Sequence, residues 1–344
     1  MLSPVALNNG DAHPGQPGAI NQLHDPDADP DTLTRFAKTY FNEWRQERAE
    51  RTLHINEVPS NADEWSLAEI REGLRASPLG ARLLHELTQT DVALGGTSAK
   101  PITQETTLAS YLYNVDTVLL RDEAPRGRKL LHAAHELRHA WQDTFGLMTN
   151  GEELHEQDYA ALTFMTEADA RAFAVAVAWE LKQGGDSEAW DAAMGMPIYK
   201  STAEKFEARM QSRLANAPAG TAASDADLRS AMGVAYRAWF DRASVRAPYI
   251  KTIRTTLADE HNHVWPGHGA LPPRIAQTLG RLPDDPAGLR APTYLTRSDV
   301  DLAKHHARIA FPVLVAHAAT GNDPASIVMA DRQSPDAEPR IAQP

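Results

Sequence analysis

The sequence of 344 residues contains no cysteine. This absence excludes disulfide bonds, a cysteine nucleophile, thiolate zinc sites and iron–sulfur clusters. A metal ion would therefore have to be bound by histidine and carboxylate side chains. The chain contains 14 His together with 46 Asp and Glu residues, so ligands for such a site are available.

Long hydrophobic runs are absent as well. A membrane-spanning helix needs about 20 consecutive, mainly apolar residues, and no segment approaches that length, so no membrane span is predicted. The N-terminal residues show neither a basic region nor an apolar stretch, which is not the pattern of a secretory signal peptide. We expect a cytoplasmic location, with export through a non-cleaved signal as the alternative.

Basic residues are outnumbered: 34 Lys and Arg stand against 46 Asp and Glu, which gives a formal net charge of −12. A protein that binds nucleic acid by neutralising phosphates needs the opposite balance, so no nucleic-acid partner is expected. Hydrophobic residues make up 42% of the chain, which is typical of an ordinary globular core. The composition indicates no particular oligomeric state.

The spacing of apolar residues indicates the order of secondary structure. Helical periodicity predicts helices over residues 31–51, 66–76 and 79–88. Residues 106–113 and 115–121 are rich in Thr, Tyr, Val and Leu, which predicts two strands. Helical patterns then dominate to about residue 262, and the proline-rich residues 264–292 predict irregular structure. Together these patterns predict an α+β fold that is mainly α-helical, with a small sheet before the next helix.

That next helix carries the most informative motif, in the segment KLLHAAHELRHAWQ at residues 129–142. His135, Glu136 and His139 form the pattern HExxH. Residues i and i+4 share one face of a helix, so both imidazoles can reach one metal ion. Glu136 projects beside them, where a carboxylate can act as general base toward a water molecule. Chance would place roughly 0.04 copies of this pattern in a chain of this composition.

A catalytic zinc ion takes three protein ligands, so the two histidines need a partner. A histidine in the longer pattern HExxHxxGxxH is excluded, because position 145 is Phe145. We prefer Glu167 as the third ligand. A turn followed by a second helix that starts near Glu167 would bring its carboxylate back to the first helix. Alternatively, Thr166 and Asp169 form a capping box and Glu167 only interacts with the helix dipole. The other downstream candidates are His155, which is the second choice, and Asp143, Glu152, Glu153, Glu156 and Asp158.

The segment HELRHAWQ, followed by TEADARA, resembles the zincin metallopeptidases of the glutamate-ligand type. More narrowly, it is similar to bacterial metallopeptidase domains without an assigned substrate. The resemblance implies one Zn²⁺ per chain, with His135, His139 and Glu167 as ligands and Glu136 as general base. It also implies a zincin-like fold, in which an edge strand lies beside the active-site helix. Residues 111–120 are the candidate for that strand, and an ordinary core strand is the alternative.

The sequence departs from the better-known members of this class at one position. It has Arg171, rather than aspartate, four residues after Glu167. This leaves Asp169 as the candidate acceptor for the second nitrogen of a ligand imidazole.

Composition, together with this resemblance, divides the chain into segments. We expect a flexible leader over residues 1–30, a zincin-like metallopeptidase domain over 31–216, a helical C-terminal region over 224–320 and a flexible tail over 321–344. The intervening residues 217–223, with Pro218 and Gly220, are the predicted linker.

The predicted function is a zinc metallopeptidase that hydrolyses peptide bonds of an unidentified peptide or protein. One alternative is a non-catalytic binding or scaffold protein with a structural metal site. The other is a secreted bacterial effector protease, which the composition of the leader suggests.

Further histidines lie outside the motif. His261, His263 and His268 lack the spacing of metal ligands. Tyr249 or His261 is a candidate for stabilising the oxyanion of a tetrahedral intermediate. His132 lies one turn before the motif and is left out of the predicted site.

Overall fold

A computed structural model describes residues 51–97, 109–112, 116–147, 154–215, 218, 222–260, 269–285 and 288–312. The described residues up to Phe311 form one compact unit. The predicted leader and tail, most of the predicted helix over 31–51, and the candidates Glu152, Glu153, His261, His263 and His268 lie outside the described ranges.

The described part contains a four-stranded sheet with the strand order β1-β2-β4-β3. The strands are β1 (Arg51–His54), β2 (Ala93–Thr97), β3 (Ala109–Leu112) and β4 (Thr117–Arg121). β2 and β4 are parallel, whereas β1 and β3 are antiparallel to their neighbours. Tyr111 on β3 is opposite Val118 on β4. Among the described strands, β3 therefore lies at the edge of the sheet and pairs only with β4.

Helices make up most of the remaining described residues. They are α1 (Ala62–Arg75), α2 (Pro78–Leu87), α3 (Arg126–Asp143), α4 (Glu156–Gln183), α5 (Glu188–Gly195), α6 (Pro197–Leu214), α7 (Asp225–Phe240), α8 (Ala243–Glu260), α9 (Ile275–Leu279) and α10 (Arg297–Ala310). The mainly α-helical α+β fold is confirmed, with the small sheet directly before α3. Within the described ranges, no helix has both the length and the apolar character that crossing a membrane would require.

The two predicted strands are confirmed as β3 and β4, but β1 and β2 were not predicted. β2 has the sequence ALGGT, and its two glycines disfavour a strand when judged by propensity alone. Arg51 was wrongly placed in a helix: it lies in β1, where it pairs with Gly96 on β2. Pairing between strands that are distant in sequence therefore overrides the local pattern.

The first two described helices differ in how well their predicted starts agree with the structure. α1 begins four residues before Ser66, because Asn61 accepts a hydrogen bond from the backbone N–H of Glu64 (3.0 Å) and returns one to its carboxylate (2.7 Å). α2 is close to the predicted range. Its N-cap is Ser77, whose hydroxyl accepts from the N–H of Gly80 (3.0 Å).

Residues 264–292 are not wholly irregular. They contain α9 and a short 3₁₀ helix at Gly288–Arg290. The helical turn of α9 forms because Ile275 and Leu279, four residues apart, are both buried in the core. The predicted irregular structure is therefore wrong for these two short elements.

The central element is α4, a helix of 28 residues that is buried along most of its length. It packs against α3 and also against α6, α7 and α10 from the later part of the chain. The helix was expected to start near Glu167, but it starts at Glu156, eleven residues earlier. The error has a physical cause: alanine, valine and phenylalanine cover all faces of this helix, so no apolar stripe marks its beginning.

Close contacts fix α3 and α4 relative to their neighbours. A Cβ atom added at Gly127 would lie 2.3 Å from the carbonyl oxygen of Glu188, so only glycine lets the first turn of α3 approach α5 this closely. Near the end of α4, the carboxylate of Glu180 accepts from the hydroxyl of Ser77 (2.5 Å) and the N–H of Leu79 (2.8 Å). The two helices that carry the motif residues are thus held in a fixed frame.

Candidate metal centre

Helices α3 and α4 bring together His135, His139 and Glu167. The Nε2 atoms of the two histidines are 3.1 Å apart. Nε2 of His135 is 3.4 Å from Oε2 of Glu167, and Nε2 of His139 is 3.5 Å from Oε1. All three side chains are buried, with at most 2% of each residue exposed. They form the one group of potential metal ligands found among the described residues.

The geometry of this cluster fits a small divalent cation. Ligand atoms of a tetrahedral site with bonds of about 2.0–2.1 Å lie about 3.3 Å apart, close to the three distances observed. Neither carboxylate oxygen of Glu167 receives a hydrogen bond from a described residue, although both are buried. Because a buried carboxylate without hydrogen bonds is unfavourable, this orphaned pair of oxygens indicates that a cation belongs between the three side chains.

The electrostatics of the cluster also favour a cation. Burial alone would raise the pKa of Glu167, but the two histidines hold it well below its usual range. Burial opposes charge on His139 too, yet the carboxylates of Glu167 and Glu136 outweigh it and raise the pKa of His139. For His135, burial prevails and lowers the pKa. Glu167 therefore stays ionised, and its negative charge is directed at the imidazoles.

Gln142 orients the imidazole of His139. The amide nitrogen of Gln142 donates to the carbonyl oxygen of Thr166 (3.0 Å) and to Oδ2 of Asp169 (2.7 Å). The amide oxygen must therefore face His139, whose Nδ1–H donates to it (2.7 Å). This leaves Nε2 of His139 with a lone pair directed at the cluster. The prediction that Asp169 accepts directly from a ligand imidazole is wrong, because Gln142 lies between them.

Asp169 anchors this hydrogen-bonded chain in the core. It receives two hydrogen bonds from the guanidinium group of Arg138 (2.8 and 3.2 Å) and one from the hydroxyl of Tyr294. Nη2 of Arg138 also donates to the carbonyl oxygens of Leu279 (2.7 Å) and Arg281 (3.0 Å). Asp169 and Arg138 are both fully buried. The orientation of one candidate ligand thus depends on contacts with residues more than 100 positions later in the chain.

Glu136 lies beside the cluster and is bound to the edge of the sheet. Its Oε2 accepts a hydrogen bond from the backbone N–H of Tyr111 on β3 (2.9 Å). The hydroxyl of Tyr111 donates toward Asp116 (2.9 Å) and Asp143 (3.1 Å), which fixes the strand against the end of α3. Only 1% of Glu136 is exposed. The carboxylate is thus held at the side of β3 that does not pair with β4.

The other candidates for the third ligand lie elsewhere. His155 is exposed and caps α4, where Nδ1 accepts from the N–H of Gln157 (3.3 Å). Asp143 accepts from Tyr111, and Asp158 accepts from the N–H of Leu271 (3.3 Å). Glu156 lies in the first turn of α4, away from the cluster.

The alternative interpretation of residues 166–169 as a helix cap is wrong. Thr166 lies in the middle of α4, and its hydroxyl donates to the carbonyl oxygen of Thr163 (3.0 Å). His132 is not part of the cluster. Its ring packs edge-on against Tyr199, and burial followed by the neighbouring His135 lowers the pKa of His132 to about 3.

Two tyrosines and an arginine line the side of the cluster next to Glu167. Tyr249, which the sequence suggested, is buried, and its hydroxyl accepts from Nη2 of Arg171 (3.1 Å). Tyr199, which the sequence did not suggest, packs edge-on against His135, with ring centroids 6.1 Å apart. No pattern marks Tyr199, because it lies 60 positions or more from the motif. Gln142, in contrast, could have been noticed as a polar residue one turn after His139.

We expect Gln142→Met to weaken metal binding by about 10- to 100-fold. Methionine has a similar length but cannot accept the Nδ1–H of His139, so the imidazole loses its fixed orientation. The measurement is a competition titration with a chromophoric chelator. Gln157→Met, which alters a partly buried glutamine at the start of the same α4 that carries Glu167, is the control. Equal metal affinity of Gln142→Met and wild type would contradict this role.

The buried cluster defines a class of protein, namely one that can hold a metal ion between two packed core helices. A family model described as "Putative metallopeptidase family (DUF6782)" matches residues 44–287, more than two thirds of the chain. The chain therefore belongs to this family, and the metallopeptidase resemblance is confirmed. Comparison with curated proteins gave no match, and comparison with solved structures gave none.

Proposed function

We propose that the protein is a zinc-dependent metallopeptidase in which His135, His139 and Glu167 bind one Zn²⁺ and Glu136 is the general base. The observation that carries this proposal is the carboxylate of Glu167, which is buried beside two imidazoles and receives no hydrogen bond from a described residue. Membership of a family described as putative metallopeptidases supports the same conclusion. Two nitrogen ligands and one oxygen ligand in a compact site suit zinc best among the common divalent ions.

The zinc ion, when bound, would polarise the scissile carbonyl and lower the pKa of a water molecule to about 7. The residues of the chain supply the other parts of the reaction. Glu136 accepts the proton of the attacking water and passes it to the leaving amine. Gln142 keeps Nε2 of His139 available as a ligand, and the hydrogen bond from Tyr111 keeps the Glu136 carboxylate beside the cluster.

β3 is the proposed place for an extended substrate. The backbone N–H of Tyr111 that reaches Glu136 is on the side of β3 away from β4. A peptide that added to this edge as another strand would place its backbone next to the general base. Two observations support this arrangement together: none of the described strands pairs with this edge, and Glu136 lies beside it.

The first experiment measures the metal content of the purified protein by elemental analysis. We expect about one zinc ion per chain in the wild type, and none in His139→Ala or Glu167→Ala, because each substitution removes one of three ligands. His305→Ala and Glu156→Ala change a histidine and a glutamate outside the cluster and should retain the metal.

Two results would contradict the proposal in different ways. A wild-type protein that stays metal-free after reconstitution with zinc would exclude the metal site. A protein that binds zinc and needs it for folding, but cleaves no member of a diverse peptide library, would instead favour a binding protein with a structural metal site.

A further inference from the structure

Two buried arginines flank the candidate metal centre, and their environments differ. Arg138 is paired with the carboxylate of Asp169. Arg171, of which 2% is exposed, has no carboxylate in ion-pair contact within the part of the chain that the structure describes. Nη1 of Arg171 donates to the carbonyl oxygen of Ile198 (2.9 Å), and Nη2 donates to the hydroxyl of Tyr249 (3.1 Å). Nε of Arg171 is buried and has no hydrogen-bond partner.

A guanidinium group buried without a counter-ion is unfavourable, and such a group is well suited to bind an oxygen anion. Of the two acidic residues within one turn before Arg171 on α4, Asp169 is paired with Arg138, and Glu167 lies on the same face of the helix as Arg171. Its charge, however, is directed at the two imidazoles and would be neutralised by a bound divalent cation. Arg171 would then remain a buried cation that lacks a partner.

The position of Arg171 places this charge at the wall of the metal centre. Its guanidinium carbon lies 5.0 Å from the ring centroid of Tyr199, and the same ring packs against His135. The hydroxyl of Tyr249 connects Arg171 with Glu167, since it faces the Glu167 carboxylate on its other side. An anion bound by Arg171 would therefore lie close to the proposed zinc ligands.

Tyr249 can contribute a second hydrogen bond. Because its oxygen accepts from Arg171, its own proton is available for donation, either to the Glu167 carboxylate that it faces or to a ligand bound beside it. A tyrosine hydroxyl has an ordinary pKa of about 10 and therefore carries its proton at neutral pH. Arg171 and Tyr249 together thus offer a cation and a neutral donor on one side of the centre.

We propose that Arg171 and Tyr249 form an anion-binding subsite, which takes a negatively charged oxygen of the peptide substrate beside the metal ion. The inference rests on the proposed metallopeptidase function and deepens it. The oxygen has two possible sources, the C-terminal carboxylate of the peptide or the oxyanion that develops on the scissile carbonyl. The first source would make the enzyme a carboxypeptidase, and the second would make Arg171 and Tyr249 catalytic residues.

The test uses the full-length protein loaded with Co²⁺, whose visible spectrum reports on the ligands of the metal. Acetate is the probe, titrated into wild type, Arg171→Met, Arg171→Lys and Tyr249→Phe. We expect about 10-fold weaker acetate binding or more in Arg171→Met, because a charge-assisted hydrogen bond is lost, and a smaller loss in Arg171→Lys. Tyr249→Phe should also weaken binding. Arg209→Met changes an exposed arginine and should bind as wild type does.

The spectrum before acetate is added separates failure of the subsite from failure of the function. Absence of a Co²⁺ spectrum in the wild type would overturn the metal site, and the subsite with it. A normal Co²⁺ spectrum with equal acetate affinity in wild type, Arg171→Met and Tyr249→Phe would overturn the subsite alone. If Arg171→Met fails to fold, Tyr249→Phe, which keeps the ring, decides the test.

A second set of probes distinguishes the two sources of the anion. N-acetyl-Ala-Ala is compared with its C-terminal amide, and a phosphinic dipeptide amide serves as tetrahedral analogue. If the subsite recognises the C-terminal carboxylate, the wild type should bind the free acid about 10-fold tighter than the amide. Arg171→Met should then bind the free acid and the amide with equal affinity. Oxyanion recognition predicts equal binding of acid and amide, and loss of affinity for the phosphinic probe in Arg171→Met. Affinities unaffected by Arg171 for all three probes would overturn the subsite.

Discussion

Glu136→Gln is expected to retain zinc and to lower the rate of peptide hydrolysis by about 10²- to 10⁴-fold. Glutamine preserves the size of the side chain and can still accept the hydrogen bond from Tyr111 (2.9 Å in the wild type), but it cannot take a proton from water. Glu136 is not one of the three clustered side chains, so metal content should be unchanged. The measurement is cleavage of a peptide library, read by mass spectrometry, at equal metal loading.

The controls for this variant separate loss of chemistry from loss of structure. Glu188→Gln changes an exposed glutamate at the start of α5 and should cleave at the wild-type rate. The melting temperature of Glu136→Gln should stay close to that of the wild type. Turnover by Glu136→Gln at the wild-type rate would show that another group is the general base.

Arg138→Met should give the largest loss of stability, about 3–5 kcal/mol in the free energy of unfolding. The substitution keeps most of the apolar volume that packs against Trp141, but it leaves Asp169 buried without its positive partner. Burial already raises the pKa of Asp169. The variant is therefore expected to bind a proton at this site on folding, and its stability should fall as the pH rises above about 4, where an unfolded aspartate ionises.

Urea denaturation of the metal-free protein measures this effect. Arg213→Met is the matched control: it removes an ion pair with Asp227 (2.7 Å) at the surface, which should contribute about 1 kcal/mol or less. The double variant Arg138→Met, Asp169→Leu should regain part of the lost stability, because it removes the unpaired charge. Equal destabilisation by Arg138→Met and Arg213→Met would show that the buried pair is not important for stability.

The sequence was sufficient for the part of the site that depends on local geometry. His135 and His139 are four residues apart, so any helix places them on one face, and their spacing required no knowledge of the fold. Glu167 could be named as the third candidate, but its position along α4 could not. That position depends on a helix buried on all sides, for which apolar periodicity gives no signal.

The remainder of the site depends on contacts between distant segments. Asp169 is hydrogen-bonded to Tyr294, which lies 125 residues later in the sequence, and Arg171 is hydrogen-bonded to Tyr249, which lies 78 residues later. Neither contact has a characteristic spacing, since each arises from the way α4 packs against later elements. For the same reason β2, with two glycines in five residues, becomes a strand only through its neighbours β1 and β4.

The hydrogen bond from the hydroxyl of Tyr294 to Asp169 limits how far the chain can be truncated from its C-terminal side. The family match ends at residue 287, but Tyr294 and α10 follow it and belong to the same compact unit, which extends to Phe311. A chain cut at the end of the match would lose the hydrogen bond to Asp169 and would uncover the surface of α4 on which α10 rests. The compact unit is thus longer than the stretch by which the family is recognised, and we expect expression of the matched residues alone to yield a truncated core.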